Sequence, residues 1–106
     1  MRQSMTAVLE RDTTFDKDFD TEPYEVAWAG EARWFVQLVG GDGAARFVTQ
    51  ISPDGITWCD LDGDEHVAGG PGELVSWPAT DFGNWLRVRA TVEGTVQVRI
   101  HLAVKA

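Results

Sequence analysis

Apolar and polar residues alternate along the C-terminal third of the chain. From Thr95 to Val104 every second residue is apolar, and residues 85–92 follow the same rule. A period of two is typical of a strand that buries one face. The pattern therefore predicts a hairpin of two strands joined around Gly94, a residue free to adopt a positive φ. The predicted core positions of the last strand are Val96, Val98, Ile100 and Leu102.

Shorter upstream segments show related patterns, and glycine-rich segments separate them. None has the 3.6-residue period of an amphipathic helix. Seven or eight short strands separated by turns predict an all-β protein, a single antiparallel β-sandwich of jelly-roll type. Besides the two strands above, the candidates are residues 6–10, 24–28, 33–39, 45–51, 57–61 and 73–77.

The N-terminal part of the chain departs from this pattern. A chain of 106 residues is the size of one domain. Residues 11–23 are acidic and contain few β-branched apolar residues. We therefore predict an N-terminal arm or edge strand over residues 1–22 and the β-sandwich domain over residues 23–106.

The sequence SPDGITW, residues 52–58, raises the question of whether it forms a binding site or a turn. Its first four residues suit a type I turn with Pro53 in the second position, and Gly55 can adopt the positive φ required at the end of that turn. A three-residue loop would place Trp58 opposite Gln50 on the outer face, and a four-residue loop would place it opposite Ile51 in the core. We expect the core position, because large aromatic side chains stabilise proteins mainly through burial.

This segment resembles the S-x-D-G-x-x-W hairpin of discoidin-like sandwiches and of small β-sandwich proteins from phage virions. The stretch GNWLRVRA, residues 83–90, resembles the aromatic-x-R-V-R strand that follows in those chains, and GTVQVRIHL, residues 94–102, resembles their final strand. The resemblance covers about residues 34–104. It implies a β-sandwich, and it favours the phage type because the chain is short for a discoidin domain with its ligand loops.

Composition and charge narrow the classes of function. A net charge of −8 argues against nucleic-acid partners, which select basic surfaces. No apolar run is long enough to span a bilayer, so we expect no membrane partner. The first residues lack the apolar segment of a signal peptide, which predicts synthesis in the cytoplasm. The resemblance to phage proteins implies a later place in a virion. Cys59 is the only cysteine, so no disulfide can form within the chain.

Two acidic clusters are candidate calcium ligands, because carboxylate oxygens suit Ca²⁺. In residues 16–22 the acidic side chains alternate, and a solvated arm is the better interpretation. The second cluster lies in a glycine-containing loop that could wrap around an ion, and no other cofactor is expected. No zinc ligand set and no nucleophile motif is evident, so we predict a non-enzyme. The candidate calcium ligands are Asp60, Asp62, Asp64 and Glu65.

The outward face of the predicted C-terminal hairpin is basic. Pairing Val92 with Val96 would place Arg89 opposite Arg99 and, one step further, Arg87 opposite His101. Like charges directly opposite one another are unfavourable and need counter-charges. The acidic residues 12–22 of the same chain could supply them, or the acidic surface of a neighbouring subunit could. Both alternatives are retained, and the four basic residues Arg87, Arg89, Arg99 and His101 are the predicted partner contacts.

These observations favour a non-catalytic protein that acts by protein–protein contact. The predicted setting is a phage-like particle, in which the chain is a decoration, tail-associated or fibre-base subunit and a homo-oligomer. The alternative is a carbohydrate-binding module, in which exposed tryptophans form a flat platform for a glycan. Trp77 and Trp85 flank the loop at residues 78–83 and are the candidate platform.

Overall fold

The computed structural model describes residues 3–61 and 63–106. Their regular structure is entirely β-strand, so the described chain holds no helix capable of crossing a membrane. The strands are β1 (Ser4–Phe15), β2 (Phe19–Asp20), β3 (Tyr24–Glu25), β4 (Glu31–Gly41), β5 (Ala44–Ser52), β6 (Cys59–Asp60), β7 (His66–Val67), β8 (Leu74–Ala79), β9 (Trp85–Glu93) and β10 (Val96–Lys105).

The strands form two antiparallel sheets that pack face to face. The first sheet has the order β1-β10-β4-β8, and the second has the order β2-β9-β5-β6, with β3 paired to β9 and β7 paired to β5. The prediction of an antiparallel β-sandwich is confirmed. The described chain contains two strands beyond the eight candidates, β2 and β7, each two residues long and too short to produce a detectable period.

Alternating residues of both sheets fill the core, as the period of two predicts. Val96, Val98, Ile100 and Leu102 of β10 are completely buried, which confirms the predicted core positions. Leu86, Val88 and Ala90 of β9 are equally buried on the opposite side. A strand face that meets another sheet loses its contact with water, and this burial is the main stabilising term of the sandwich.

One hydrogen bond joins the two sheets inside the core. The indole Nε1 of Trp77, on β8, donates to Oγ1 of Thr49, on β5, at 2.9 Å. The ring of His66 stacks parallel to the same indole with centroids 4.3 Å apart. Trp77 therefore holds the segment that contains β7 against the sandwich.

The predicted C-terminal hairpin is wrong, because β9 and β10 lie in different sheets. β9 pairs with β5 in the second sheet, and β10 lies between β1 and β4 in the first. The apolar faces of the two strands meet across the core instead of lying side by side. Gly94 does adopt a positive φ of 73°, but its turn carries the chain from one sheet to the other.

Two such crossings pack against each other at one end of the sandwich. The chain also changes sheets between β4 and β5, at the glycine-rich residues 40–43. The N–H of Gly43 donates to the carbonyl of Thr95 at 2.8 Å, so the two turns share a backbone hydrogen bond. The close approach leaves little space for a side chain at Gly43.

The N-terminal segment contributes to both sheets. β1 is an edge strand of the first sheet, and β2 is an edge strand of the second. Between them the rings of Phe15 and Phe19 stack with centroids 3.7 Å apart. The backbone N–H of Val92 donates to Oδ1 of Asp18 at 2.9 Å. Residues 4–20 therefore fasten the two sheets to each other along one side.

Candidate functional site

The corner at residues 52–58 is closed by hydrogen bonds to one carboxylate. Oδ1 of Asp54 accepts from the backbone N–H groups of Ile56 and Thr57 at 2.9 and 2.8 Å, and from the hydroxyl of Ser52 at 2.9 Å. The Ser52 hydroxyl oxygen in turn accepts from the N–H of Gly55 at 2.8 Å. Gly55 has a φ of 77°, which confirms the predicted positive φ.

These contacts determine the chemistry of Asp54. Hydrogen bonds from the backbone of Thr57, the backbone of Ile56 and the hydroxyl of Ser52 lower the pKa of the Asp54 carboxyl to about 2. Donors that favour the ionised form have this effect on an acid. Because its oxygens are engaged within the corner, Asp54 holds the turn together, and the SPDGITW segment is a structural corner.

Replacing Asp54 by asparagine should make the stability of the protein less dependent on acid. The folded pKa lies below the usual 3.8, so the carboxylate stabilises the fold fully above about pH 4 and loses that contribution as the pH falls through about 2. The melting temperature of the wild type should therefore exceed that of Asp54→Asn at pH 7, and the difference should shrink between pH 4 and pH 2.

The control for this measurement is Asp16→Asn. Asp16 is exposed and makes no hydrogen bond or ion pair with any residue in the described part of the chain. We expect this variant to follow the wild-type profile of melting temperature against pH. An Asp54→Asn protein with the wild-type profile would contradict the role assigned to the corner.

Trp58 does not occupy the core, contrary to our expectation. Cys59, and not Trp58, lies opposite Ile51, so the loop is longer than either register considered. A shift of one residue moves a side chain to the other face of a sheet. The Trp58 ring consequently lies on the outer face of the second sheet, where the guanidinium carbon of Arg87 is 4.4 Å from the ring centroid.

Arg87 is the centre of a polar network on this outer face. Its Nε donates to Oε1 of Gln50 at 2.8 Å, and its Nη1 is 3.4 Å from Oδ2 of Asp20. The amide nitrogen of Gln50 donates to Oδ1 of Asp60 at 2.9 Å. The network thus crosses β2, β9, β5 and β6 in spatial order, and it fixes the cation over the Trp58 ring.

The four predicted partner contacts do not form one basic patch. Arg87 and Arg89 project from the outer face of the second sheet, and Arg99 and His101 project from the outer face of the first. The predicted pairing of Arg89 with Arg99 is wrong, because it required β9 and β10 to be neighbours. In the structure Arg89 lies opposite Val48 on one side and Asp20 on the other, and Arg99 lies opposite Gln37.

Arg99 has its counter-charge within the chain. Its Nε and Nη2 donate to the two carboxylate oxygens of Asp12 at 2.8 and 2.9 Å, a two-point pair that also lowers the pKa of the Asp12 carboxyl. Register shifts interrupt β1 here, and Asp12 has a φ of 57°. This irregularity turns the Asp12 side chain toward Arg99. For Arg99 the counter-charge thus comes from the acidic segment of the same chain, which is one of the two alternatives stated above.

Arg89 differs from its neighbours because it is exposed and unpaired. Within residues 3–61 and 63–106 its side chain makes no hydrogen bond, ion pair or ring contact, whereas that of Arg87 makes several. Arg46, further along the same face, is 3.4 Å from Glu93 and 3.9 Å from Glu65. Arg89 is therefore the arginine of this face that retains its full capacity to bind a partner.

The predicted glycan platform is not assembled. Trp77 is 3% exposed and its N–H is bonded inside the core, so its assignment to a platform is wrong. Trp85 lies on the outer face of the second sheet, and one side of its ring faces the backbone of Gly55. On this outer face Trp85 lies beside the corner at Gly55 and two residues from Arg87 along β9, whereas Trp77 lies in the core.

The predicted calcium ligands have other contacts. Asp60 accepts a hydrogen bond from Gln50, and Glu65 lies beside Arg46. Asp62 lies outside the described residues. In the remaining chain no three His, Cys, Asp or Glu side chains are grouped closely enough to hold a metal ion. Calcium binding at Asp60, Asp62, Asp64 and Glu65 stays a prediction.

The fold is similar to that of several solved structures. The SPBc2 prophage-derived protein YomS matches over 100% of this chain and 96% of its own, with a TM-score of 0.57 and 10% identity. The PBSX exported protein XepA matches over 98% of this chain, with a TM-score of 0.61 and 9% identity. A Bacillus endospore appendage that forms disulfide-linked pili matches over 99% of this chain and 83% of its own, with a TM-score of 0.55 and 11% identity.

At these identities the similarities establish the shared fold alone. The chain spans 36% of the length of XepA, so that protein contains much that this chain does not. No protein family and no curated protein sequence matches the chain.

Proposed function

We propose that the protein is a non-catalytic subunit of a phage-like particle and that it acts by protein–protein contact as a homo-oligomer. In this proposal it is a decoration, tail-associated or fibre-base component, synthesised in the cytoplasm and incorporated into a virion. The fold similarity to two prophage proteins supports this setting. The observation that carries the proposal is the unpaired Arg89 beside the Arg87–Trp58 stack.

The outer face of the second sheet has the composition of a contact surface. Trp58, Trp85, Arg87 and Arg89 lie together there, and tryptophan and arginine are the residue types that contribute most at protein interfaces. Three of these residues lie on the paired strand β9, and Trp58 lies in the hydrogen-bonded corner, so little ordering is required when a partner binds. Less ordering leaves more of the contact free energy available for affinity.

The charges of this face indicate the kind of surface it fits. Arg87 is held by Asp20 and Gln50, so its position over Trp58 is set before any partner arrives. Arg89 remains exposed in a chain whose net charge is −8. An acidic surface on a second copy of this chain would supply the missing counter-charge, and a carboxylate could bind the guanidinium at two points.

Replacing Arg89 by glutamate tests the proposal. We expect the wild type to associate at micromolar concentrations and Arg89→Glu to lower the association constant at least about tenfold, because attraction becomes repulsion. Molar mass from light scattering measures the change. Since exposed charges are screened over about 3 Å at 1 M salt, high salt should weaken wild-type association in the same direction.

Lys17→Glu is the matched control, because it changes the net charge equally at an exposed site in the crossing between β1 and β2. It should keep the wild-type mass. Equal loss of mass in both variants would assign the effect to net charge and contradict the proposed face. A wild type that stays monomeric would remove the homo-oligomer.

A further inference from the structure

Ile56 presents an isolated apolar side chain at the tip of the corner. It is 81% exposed, more than any other large hydrophobic residue in the described chain. Single exposed apolar residues are common on protein surfaces. Ile56 differs because its backbone is held in place, with its N–H bonded to Asp54 at 2.9 Å and the adjoining Gly55 seated against the Trp85 ring. The tip is therefore a rigid apolar projection.

A concavity of about 330 Å³ lies on the outer face of the first sheet. Phe35, Pro78 and Ala103 provide apolar surface, and the charged residues Arg33, Lys105 and Glu31 also line it. The depression forms where the small side chain of Ala103 stands opposite Arg33, with Pro78 as the next residue across the sheet.

We infer that the Ile56 tip of one copy inserts into this concavity on a second copy. The apolar side chain would leave water and contact the ring of Phe35 and the side chains beside it. The charges also correspond, because the ionised Asp54 adjoins Ile56 in the tip, and the depression is lined by two cations, Arg33 and Lys105, and one carboxylate, that of Glu31. The second copy is thus the occupant that both the shape and the charge favour.

The positions of the two parts determine the symmetry of the contact. The tip belongs to the second sheet and the concavity to the outer face of the first, so each copy carries one of each. Such a head-to-tail contact forms a closed ring if the rotation closes and a filament if it does not. One tip buries too little area for a stable interface, which needs about 1,200–2,000 Å² in total. The inference therefore rests on the proposed function, in which the surrounding faces also make contact.

Variants of the tip and of the concavity test the inference separately. Ile56→Asp should lower the association constant at least tenfold, and so should Ala103→Arg, which fills the depression. Thr80→Arg, at an exposed residue that lines the concavity, is a second blocking variant should Ala103→Arg fold poorly. Val67→Asp is the control, because Val67 is 62% exposed and lies on β7, in neither part.

Mixing the variants distinguishes a head-to-tail contact from other arrangements. Ile56→Asp retains its concavity and Ala103→Arg retains its tip. At a concentration at which each variant alone is monomeric, an equimolar mixture should form a dimer that grows no further, as measured by sedimentation velocity. A mixture that stays monomeric overturns the head-to-tail contact.

The results also separate this inference from the proposed function. Oligomers that resist Ile56→Asp but dissociate on Arg89→Glu overturn the inference and leave the proposed face intact. Oligomers that dissociate on Ile56→Asp but resist Arg89→Glu overturn the contact proposed for Arg89 and leave the contact of the Ile56 tip intact. A wild type that remains monomeric up to the highest concentration measured overturns the second copy as the occupant.

Discussion

Replacing Leu102 by alanine is expected to lower the free energy of unfolding by about 2–5 kcal/mol. Leu102 is completely buried on β10, which pairs with β1 on one side and with β4 on the other. It lies between Ala7 and Trp34 in the register of its neighbours, so the core cannot collapse easily into the space left by the truncation. Urea denaturation, monitored by tryptophan fluorescence, measures the loss.

Leu74→Ala is the matched control, since it removes the same atoms from a side chain that is 57% exposed. A surface truncation of this kind should change the free energy of unfolding by no more than about 0.5 kcal/mol. Similar losses in both variants would show that Leu102 does not occupy the core.

Replacing Gly43 by alanine should destabilise the protein by about 1–3 kcal/mol or more. A Cβ atom at this position would collide with the backbone carbonyl of Glu93 and would lie 2.7 Å from the backbone nitrogen of Thr95. Backbone atoms cannot rotate away as a long side chain can, so one of the two packed turns has to move. The hydrogen bond from Gly43 to Thr95 would be strained as well.

Gly30→Ala is the control for that experiment. The nearest atom to a Cβ at Gly30 is the carbonyl carbon of Ala106 at 3.7 Å, an ordinary contact, and its φ is not positive. The same substitution there should leave the melting temperature unchanged or raise it slightly, because alanine restricts the unfolded chain. Equal melting temperatures for the two variants would contradict the close packing of the turns.

The sequence predicted which side of β9 and of β10 is buried, but not which strands are neighbours. Alternation assigns residues to the core or to solvent, and every predicted core position of β10 is buried. Two strands with matching apolar faces can satisfy that pattern side by side or across a sandwich. β9 and β10 take the second arrangement, and no property of the connecting residues 93–95 excludes the first.

The site on the outer face of the second sheet could be predicted only in part from the sequence, for the same reason. The Ser-x-Asp-Gly pattern identified the corner, because its hydrogen bonds join residues close in sequence. The network around Arg87 joins residues from four strands, so it depends on pairings that periodicity does not reveal. One residue more or less in the loop moves Trp58 to the other face of the sheet, and the alternation pattern does not determine the length of the loop.

The place of β10 in the first sheet governs how the protein can fold during synthesis. Every strand of the second sheet has been made by residue 93, but β1 and β4 stay apart until residues 96–105 arrive between them. β10, which follows every other described strand along the chain, is thus the one that completes the hydrogen bonding of β1 and β4. Until β10 is made, the chain exposes unpaired strand edges that can pair with other polypeptides, so this stage of synthesis is the one most exposed to aggregation.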